Sequence, residues 1–356
     1  MKVIRTILFI LNVILALGLL LTTLAGTVAP SRTVLPSLAA YGYLPLLAAN
    51  VLMIVVWLLM KRWSWLLSAG VIALRWATLG FFFQVGGWSS KAPDAEEHPY
   101  ALSLMTYNVH QFQGTNNRPE ESDANAQEFL SLVRKYGPDV LCLQEYAAPK
   151  RVALTDSLTL MGYNHYYGAH TSRGGMPYGT VVFSLLPITY VTRVDSEKLL
   201  VELHKEGQRF RVCCVHMDSY RFDDADREEI ERMRRGEVQE SSRRTLGKVK
   251  ETILSHEEEW IERIKPVVTG SSVPLVLAGD LNDIPGSWLY RQIADEMHDT
   301  FCEKGFGFSH TYNGGFPRFR IDMVFHSEGM NTLGYKRIKS DMSDHYAVMT
   351  YLEIGE

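Results

Sequence analysis

Long apolar runs occupy the start of the chain, and polar residues are spread through the remainder. The runs carry very little charge and cover residues 4–24, 44–60 and 63–83. Each is close to the ~20 residues that a helix needs to cross a bilayer. Tyr41 lies just before the second run and Trp63 begins the third, at positions where aromatic side chains favour the membrane interface. The pattern therefore predicts about three transmembrane helices within residues 1–85.

Basic residues flank these runs and predict how the chain crosses the membrane. Lys2 and Arg5 lie at the start of the first run, and Lys61 and Arg62 separate the second from the third. Positively charged loops stay in the cytoplasm. With three spans the polar part lies outside the cytoplasm, and we expect an integral protein of the plasma (inner) membrane. Arg75 costs the third span about 3 kcal/mol on insertion scales. If that run does not span, the polar part is cytoplasmic; a cleaved signal peptide at the start is a further alternative.

Residues 86–98 combine glycine, serine and proline with acidic residues, and this composition predicts a linker. Beyond it, in residues 99–356, short apolar runs of strand length are mixed irregularly with segments of helical spacing. An irregular order of strands and helices favours an α/β sandwich of two sheets over a doubly wound sheet. We therefore expect a membrane region at 1–85 and a single polar domain at 99–356.

Charge is divided unevenly between these regions. Residues 1–97 contain seven Lys or Arg and three Asp or Glu, whereas 29 basic and 37 acidic residues follow. An acidic domain lacks the broad positive field that non-specific nucleic-acid binding needs. The four cysteines have neither disulfide nor zinc spacing, and Cys142 and Cys213 lie in apolar runs that predict buried side chains.

One buried strand delivers two polar side chains to the same place. Residues 275–278 are apolar, Gly279 follows, and Asp280 and Asn282 stand two positions apart. In an extended backbone this spacing puts both side chains on one side. A carboxylate and an amide at the end of a buried strand suit a phosphate group, a metal-bound water or both.

Other polar side chains stand at the ends of predicted strands in the same way. Asn108, Glu145 and His216 stand at carboxyl ends, Asp322 stands at the start of a strand, and Asp344 and His345 stand just before the last strand. Taken singly, each has an ordinary explanation: Asn108 caps a turn, and Asp322 pairs with Arg318 or Arg320. Taken together, such groups suit a phosphate and a hard divalent cation, which binds through carboxylates, water and substrate oxygens. The chain contains no serine nucleophile elbow, P-loop or structural zinc motif.

Seven motifs, in order along the chain, resemble those of the endonuclease/exonuclease/phosphatase superfamily. They are Tyr107-Asn108-Val109-His110, 139–145, 179–184, Val215-His216, 279–282, Arg320-Ile321-Asp322 and Ser343-Asp344-His345. Each is weak alone, but seven in sequence are specific. The resemblance covers residues 100–352 and implies the DNase I-like fold, a four-layer α/β sandwich of two mixed β-sheets flanked by helices. The N-terminal transmembrane helical region lies outside it.

The resemblance implies a divalent-metal site and its ligands. Glu145 would be the main ligand of Mg²⁺ (or Mn²⁺), with Asn108 and Asp344 close to the metal. Some nuclease members have a second acid two residues after the asparagine, where this chain has His110. This departure argues against a second metal.

Five further residues would have catalytic roles by the same resemblance. They are His216, Asp280, Asn282, Asp322 and His345. Asp280 would orient or deprotonate the attacking water, and Asp322 would orient the His345 imidazole and stabilise its charged form. Asn282 and His216 would hold the phosphoryl oxygens. The resemblance also implies a partner for His216 on a middle strand, which the sequence alone does not locate.

From these expectations we predict a hydrolase that cleaves a phosphate mono- or diester by metal-assisted attack of water. Members of the superfamily cut DNA, RNA, inositol phosphates and sphingomyelin. The acidic domain and the membrane tether favour a lipid headgroup or small phosphoester over nucleic acid. A membrane-tethered endo- or exonuclease is the first alternative, and a non-catalytic membrane-anchored binding protein is the second. The expected partners are the phosphoester and the lipid bilayer, and the sequence does not indicate an oligomeric state.

Overall fold

A computed structural model of the chain describes residues 2–86, 92–94, 96–149, 151–173, 176–237, 239–315 and 318–355. Part of the predicted linker, residues 87–91 and 95, lies outside the described residues. By its internal contacts the chain divides into two units. The first comprises Met1–Phe81, Asp218–Trp260 and Ile284–Ile293, and the second comprises Phe82–Met217, Ile261–Asp283 and Ala294–Glu356.

The helices are α1 (Lys2–Leu21), α2 (Leu35–Ala40), α3 (Tyr43–Leu59), α4 (Trp65–Leu74), α5 (Trp76–Leu79), α6 (Ser122–Tyr136), α7 (Leu154–Leu160), α8 (Asp224–Arg234), α9 (Glu240–Glu259), α10 (Lys265–Thr269), α11 (Trp288–Ala294) and α12 (Thr300–Lys304). The strands are β1 (Phe83–Gln84), β2 (Ala101–Asn108), β3 (Val140–Tyr146), β4 (His165–Arg173), β5 (Met176–Ser184), β6 (Ile188–Arg193), β7 (Lys198–Lys205), β8 (Gln208–His216), β9 (Leu275–Asp280), β10 (His298–Asp299), β11 (Gly307–Phe308), β12 (Asp322–His326), β13 (Met330–Ile338) and β14 (Ala347–Ile354).

In the first unit, α1, α3 and α4 pack around a polar centre. Ser68 Oγ on α4 lies 2.6 Å from Asn12 Oδ1 on α1 and 2.9 Å from Asn50 Oδ1 on α3. Asn50 also donates to the carbonyl of Leu15 at 3.1 Å, and Asn12 donates to that of Ser64 at 3.2 Å. Asn12, Asn50 and Ser68 are fully buried. The outer faces of the same helices are aliphatic and exposed, with Ile4, Ile14, Leu17, Leu52, Leu59 and Leu74 among the exposed side chains.

The lengths of these helices differ from the prediction. Within the described residues, Lys2–Leu24 is the one helical stretch long and apolar enough to cross a bilayer. Helix α3 has 17 residues, and the third predicted span is interrupted at Arg75, whose ψ of 8° separates α4 from α5. The prediction that residues 63–83 form one continuous helix is therefore wrong, and the prediction of three crossings stays a prediction.

The first unit also contains a charged helical insertion, residues 218–260. The carboxylate of Glu257 on α9 accepts from the backbone N of Ser31 at 2.6 Å and from its hydroxyl at 2.8 Å. The hydroxyl groups of Tyr41 and Tyr220 are also hydrogen-bonded. The loop between α1 and α3 is therefore joined to the insertion by two separate contacts.

The second unit contains two six-stranded mixed sheets. The order of the first sheet is β13-β14-β2-β3-β5-β4, and that of the second is β10-β12-β9-β8-β7-β6. In each sheet one central pair is parallel, β2 with β3 and β8 with β9, and the remaining neighbours are antiparallel. The predicted α/β sandwich of two mixed sheets is confirmed.

Strand β2 shows why the buried strands have apolar residues at almost every position of the sequence. Leu102 and Leu104 point into the core between the two sheets, whereas Met105 and Tyr107 point to the opposite face, which is covered by Phe129 of α6. Because successive side chains alternate, a strand covered on both faces needs apolar residues at almost every position. Each fully buried Leu or Met contributes about 1.5–3 kcal/mol relative to an exposed one.

Candidate active site

Strand β9 ends at the centre of the site. It lies between β8 and β12, and its register places Asp280 directly opposite His216 on one side and Asp322 on the other. Gly279 has a φ of +153°, and a Cβ there would lie 1.8 Å from the Val215 carbonyl oxygen. Only glycine allows the two strands to approach this closely. The register therefore aligns three functional side chains.

Asn108, at the end of β2, connects this group to the first sheet. Its Nδ2 donates to Asp280 Oδ2 at 3.0 Å and to Glu145 Oε1 at 3.2 Å. Glu145 has a φ of +49° and sits where the pairing of β3 with β5 shifts register between Leu143 and Tyr146. Such a bulge redirects a side chain at the expense of backbone strain.

His345 and Asp322 form a buried pair. His345 Nδ1 lies 2.8 Å from Asp322 Oδ2, and because an ionised carboxylate only accepts, this nitrogen carries the proton. His345 Nε2 is then directed to Asp280, whose Oδ2 lies 3.8 Å away. Ser343 Oγ donates to the Asn108 carbonyl at 2.7 Å and accepts from the His345 backbone N at 3.1 Å. The serine thereby holds the loop before β14 against the end of β2.

His216 lies on the other side of Asp280. Its Nδ1 is 2.7 Å from Glu197 Oε2, and its Nε2 is 3.8 Å from Glu145 Oε1 and 3.9 Å from Asp280 Oδ2. Its backbone N also donates to the Glu197 carbonyl at 3.1 Å. Glu197 immediately precedes β7 and is the partner that the sequence alone did not locate.

The two remaining predicted residues border this group. Asp344 Oδ1 lies 3.2 Å from His110 Nδ1 and 4.0 Å from His345 Nε2. The Asn282 backbone N donates to Asp280 Oδ1 at 2.8 Å, and its side chain donates to the Met217 carbonyl at 2.9 Å. All eight predicted residues therefore belong to one connected group.

Burial and neighbouring charges shift the pKa values of this group. Burial raises the pKa of Glu145. The charges of His216 and His110 and the hydrogen bond from Asn108 lower it by more, so the pKa lies below its usual value. Burial and the charge of Asp322 raise the pKa of Asp280 to about 6, against the lowering effect of the histidines. Burial lowers the pKa of His216, but Glu197, Glu145 and Asp280 raise it to about 9.

The pKa of His345 is likewise raised well above its usual value. Burial lowers it, and the carboxylates of Asp322 and Asp280 outweigh that effect. The imidazole is thereby held in its charged form near neutral pH, so its Nε2 can donate to an anionic oxygen.

The donor chemistry of the site fits a hard divalent cation. Five carboxylates meet here, and their ion-pair partners among the described residues are all histidines. The carboxylates are Glu145, Glu197, Asp280, Asp322 and Asp344. Without a cation this group can be neutralised only by protonating imidazoles or carboxyls. Mg²⁺ prefers such oxygen ligands and keeps part of its water shell.

A second arrangement of possible ligands overlaps the first. Within the described residues, Asp280, Asp322 and His345 form the one set of three whose ligand atoms lie within 4.8 Å of one another. The hydrogen bond between His345 and Asp322 already occupies one atom of each.

Two mixed sheets with acids and imidazoles gathered at their strand ends define the DNase I-like architecture. The chain belongs to the endonuclease/exonuclease/phosphatase family, whose profile matches residues 105–345. Members of this superfamily include phosphoesterases and nucleases, which generally depend on divalent metals. A domain family of unknown function matches residues 5–82.

Solved structures with the same fold have low sequence identity to this chain. An endonuclease/exonuclease/phosphatase from Beutenbergia cavernae DSM 12333 aligns with a TM-score of 0.50 and 20% identity, over 72% of this chain and 72% of that one. The human Nocturnin catalytic domain with bound sulfate anion aligns with a TM-score of 0.50 and 16% identity, over 71% of this chain and 94% of that one. At such identities the likeness concerns the fold alone. No curated protein matches the chain.

Proposed function

We propose that this protein is a membrane-tethered, metal-dependent phosphoesterase that hydrolyses a phosphate mono- or diester by attack of water. The observation that carries the proposal is the position of Asp280. Its carboxylate is hydrogen-bonded by Asn108 and lies within 4 Å of both His216 and His345. A general base beside two cationic donors suits a reaction in which water attacks an anionic centre.

Each residue has a role that follows from its contacts. Asp280 accepts the proton of the attacking water, since its raised pKa makes it a stronger base than an ordinary carboxylate. His345, held charged by Asp322, donates from Nε2 to a phosphoryl oxygen. His216, oriented by Glu197, and the side-chain amide of Asn282 bind the other oxygens.

Glu145 is the proposed main ligand of Mg²⁺ (or Mn²⁺), with Asn108 and Asp344 close to the ion. A divalent cation bound there would supply positive charge beside the phosphoryl group. His110 occupies the position of a second acid in some nucleases, and its contact with Asp344 supports a single-metal site.

We favour a lipid headgroup or small phosphoester as the substrate. The excess of acidic residues after residue 97 disfavours long polyanions, and a membrane tether favours a substrate that is found at membranes. Cleavage of DNA or RNA by a tethered nuclease is the alternative substrate assignment, and a binding protein without turnover is the last.

The contacts of the first unit support a location outside the cytoplasm. Ser31 and Tyr41, between α1 and α3, contact Glu257 and Tyr220 of the insertion. The insertion is covalently continuous with β8 and with residues 261–283, so it lies on their side of the membrane. The loop after α1 is then on that side too, and a spanning α1 places its basic start on the opposite, cytoplasmic side.

The same contacts limit the number of crossings. After α1, either both α3 and α4–α5 cross or neither does, because the polar domain must return to the side of Ser31. Asn12 and Asn50 lie within one residue of the midpoints of Lys2–Leu24 and α3, and both contact Ser68. Helices joined at their midpoints share one depth in the bilayer, which favours three embedded helices in the plasma (inner) membrane.

A substrate panel tests the proposed activity. The full-length chain in detergent micelles is assayed with Mg²⁺ on sphingomyelin, inositol phosphates, bis-p-nitrophenyl phosphate, plasmid DNA and RNA. We expect turnover of a lipid or small phosphoester that is lost in Glu145→Gln and His345→Ala. Activity retained by both variants would remove the mechanism, and cleavage of nucleic acid alone would reverse the choice of substrate. No turnover of any substrate would favour the binding protein.

Protease access tests the location. Protease added to spheroplasts should degrade residues 99–356 if they lie outside the cytoplasm. Protection of this domain in spheroplasts, with degradation only after lysis, would overturn the placement.

A further inference from the structure

Arg337 lies near the carboxyl end of β13, at the same edge of the first sheet as Asn108. It pairs with Val348 on β14, and Val348 pairs with Thr106 on β2. Because cross-strand partners share a face and Asn108 follows Thr106 by two positions, Arg337 is on the same face of the sheet as Asn108. Strand β13 is two strands from β2, or roughly 10 Å at about 4.8 Å for each spacing.

His310 and Tyr346 hold the Arg337 guanidinium in place. Arg337 Nη1 donates to the His310 carbonyl oxygen at 2.6 Å and lies 3.1 Å from His310 Nδ1. Since a guanidinium only donates, His310 Nδ1 accepts and the ring proton is on Nε2. The guanidinium and the imidazole also lie 5.6 Å and 5.7 Å from the centre of the Tyr346 ring. His310 therefore adds a neutral N–H donor beside a fixed cation.

The backbone joins this group to the catalytic pair. The residue after His310 is Thr311, whose hydroxyl accepts from the backbone N of Asp322 at 3.0 Å. The Thr311 carbonyl accepts from the backbone N of Tyr346 at 2.8 Å, and Tyr346 directly follows His345. The group is thus attached to both members of the pair of Asp322 and His345.

Two further cations lie near His310, and no acid balances them. Burial lowers the pKa of His310, and the charges of Arg337, Arg318 and Lys339 lower it further, to about 4. Among the described residues, none of these four side chains forms an ion pair with a carboxylate. Cations gathered without an acid create a local positive potential that attracts an anion. We call these four residues the basic cluster.

We propose that Arg318, Arg337, Lys339 and His310 bind a second phosphate group of the substrate, while the group around Asp280 hydrolyses the first. Arginine and lysine are the side chains best suited to a phosphate. This inference rests on the proposed function and narrows its substrate class to a small phosphoester or lipid headgroup that carries at least two phosphates. Substrates with a single phosphate, such as sphingomyelin, would leave the basic cluster without a ligand.

Kinetics on two soluble substrates test the subsite, with the full-length chain in detergent micelles and Mg²⁺. Bis-p-nitrophenyl phosphate has one phosphate, and an inositol bisphosphate has two. Arg318→Gln and Lys339→Gln each remove one charge from an exposed side chain, so both variants should fold. Each should lower the ratio of kcat/KM for the bisphosphate to that for bis-p-nitrophenyl phosphate by at least about tenfold, chiefly through KM.

A matched control is Lys336→Gln on the same strand. The Lys336 ammonium lies 5.0 Å from the centre of the Tyr136 ring, which belongs to the helix on the opposite face of the sheet. This variant loses the same charge and should keep the ratio of the parent. Equal ratios in Lys336→Gln, Arg318→Gln and Lys339→Gln would overturn the subsite.

Binding measured without turnover separates this inference from the proposed function. Calorimetric titration of His345→Ala with the inositol bisphosphate should show binding that weakens at least about tenfold when Lys339→Gln is added. If it does and the parent turns over no substrate, the subsite stands and the proposed activity fails. If the parent cleaves phosphoesters and the basic cluster changes neither the ratio nor the binding, the activity stands and the subsite fails.

Two further assays identify the source of the second phosphate. The inositol bisphosphate is compared with a lipid of the same headgroup in the micelles. Dependence on Arg318 and Lys339 in either assay supports the subsite, and the faster substrate shows whether the headgroup is free or lipid-bound. A loss confined to cleavage of plasmid DNA would assign the basic cluster to nucleic acid and overturn the choice of a small phosphoester or headgroup.

Discussion

The bundle of α1, α3 and α4 in the first unit and the sandwich of the second place their polar side chains in opposite ways. In the first, neutral amide and hydroxyl groups of Asn12, Asn50 and Ser68 meet at the centre of three helices, whose outer faces are aliphatic. In the second, the centre between the sheets is mainly apolar, and the charged group of the candidate site lies at the ends of the strands. The same physical rules therefore yield two opposite distributions.

The difference is the one expected if the bundle faces lipid, as we propose, and the sandwich faces water. Hydrocarbon offers no hydrophobic drive to join apolar helices, so hydrogen bonds between helices help to hold a membrane bundle together. Water drives apolar side chains inward, and charged groups stay buried only where partners satisfy them. Neutral polar groups thus link the bundle, whereas the sandwich buries ion pairs such as Arg320 with Asp299 and the charged group around Asp280.

The largest expected effect is the loss of the imidazole at the strand ends. His345→Ala should lower kcat by about 10²–10⁴-fold, the usual contribution of an acid–base group. Steady-state kinetics on the substrate found in the panel measures it. His98→Ala removes a histidine outside the site and should keep full activity; equal kinetics for both variants would break the assigned role.

The next effect contrasts two exposed leucines, one in each unit. Leu52 on α3 is 61% exposed and Leu160 on α7 is 90% exposed. Leu52→Lys should oppose membrane insertion by about 3 kcal/mol, and Leu160→Lys should change stability by less than about 0.5 kcal/mol. Carbonate extraction of membranes measures the first and thermal unfolding measures the second. If Leu52→Lys remains fully membrane-bound with an unchanged melting profile, the exterior of the bundle does not face lipid.

The pH dependence should follow Asp280. Below its pKa of about 6 this carboxyl is protonated and cannot accept a proton from water, so activity should fall as the pH falls. The decrease approaches tenfold, or about 1.4 kcal/mol, for each pH unit. Raising Mg²⁺ should move the midpoint lower, because a nearby cation favours the anion. Profiles of kcat/KM at low and high Mg²⁺ measure both effects, and a flat profile between pH 5 and 7 at low Mg²⁺ would exclude Asp280 as the base.

The smallest effect concerns the polar centre of the bundle. Asn50→Leu removes the hydrogen bonds to Ser68 and to the Leu15 carbonyl and should cost about 0.6–2 kcal/mol. Detergent-induced unfolding measures it. Val51→Leu, on the exposed face of the same helix, should have no effect, and equal stability of the two variants would show that the polar contacts do not hold the helices together.

Much of the catalytic domain could be predicted because its signals are local. Asp280 and His216 follow apolar runs, and each indeed ends a buried strand. Glu197 could not be found in this way, since its contact with His216 depends on the pairing of β7 with β8. A local pattern marks where a strand ends but does not say which strand lies beside it.

Two other features were missed for similar reasons. Hydropathy alone predicted one continuous third span, because an average over the run does not detect the break at Arg75. Arg320 was a candidate partner for Asp322, but it pairs with the buried Asp299 at 2.7 Å. Residues two positions apart in an extended chain point to the same side, so the sequence suggested that Arg320 and Asp322 could pair, but it could not show that Asp299 lies closer to Arg320.

The left-handed backbone at Glu145 has a consequence for how this sequence can change. A side chain with a Cβ at a φ of +49° is less stable there than glycine by about 1–2 kcal/mol. Glu145→Gly should therefore unfold at a higher temperature while losing the carboxylate that we assign to the metal. A population of variants selected only for heat resistance would drift to glycine at this position, whereas one selected for turnover would keep the acid and tolerate a less stable fold.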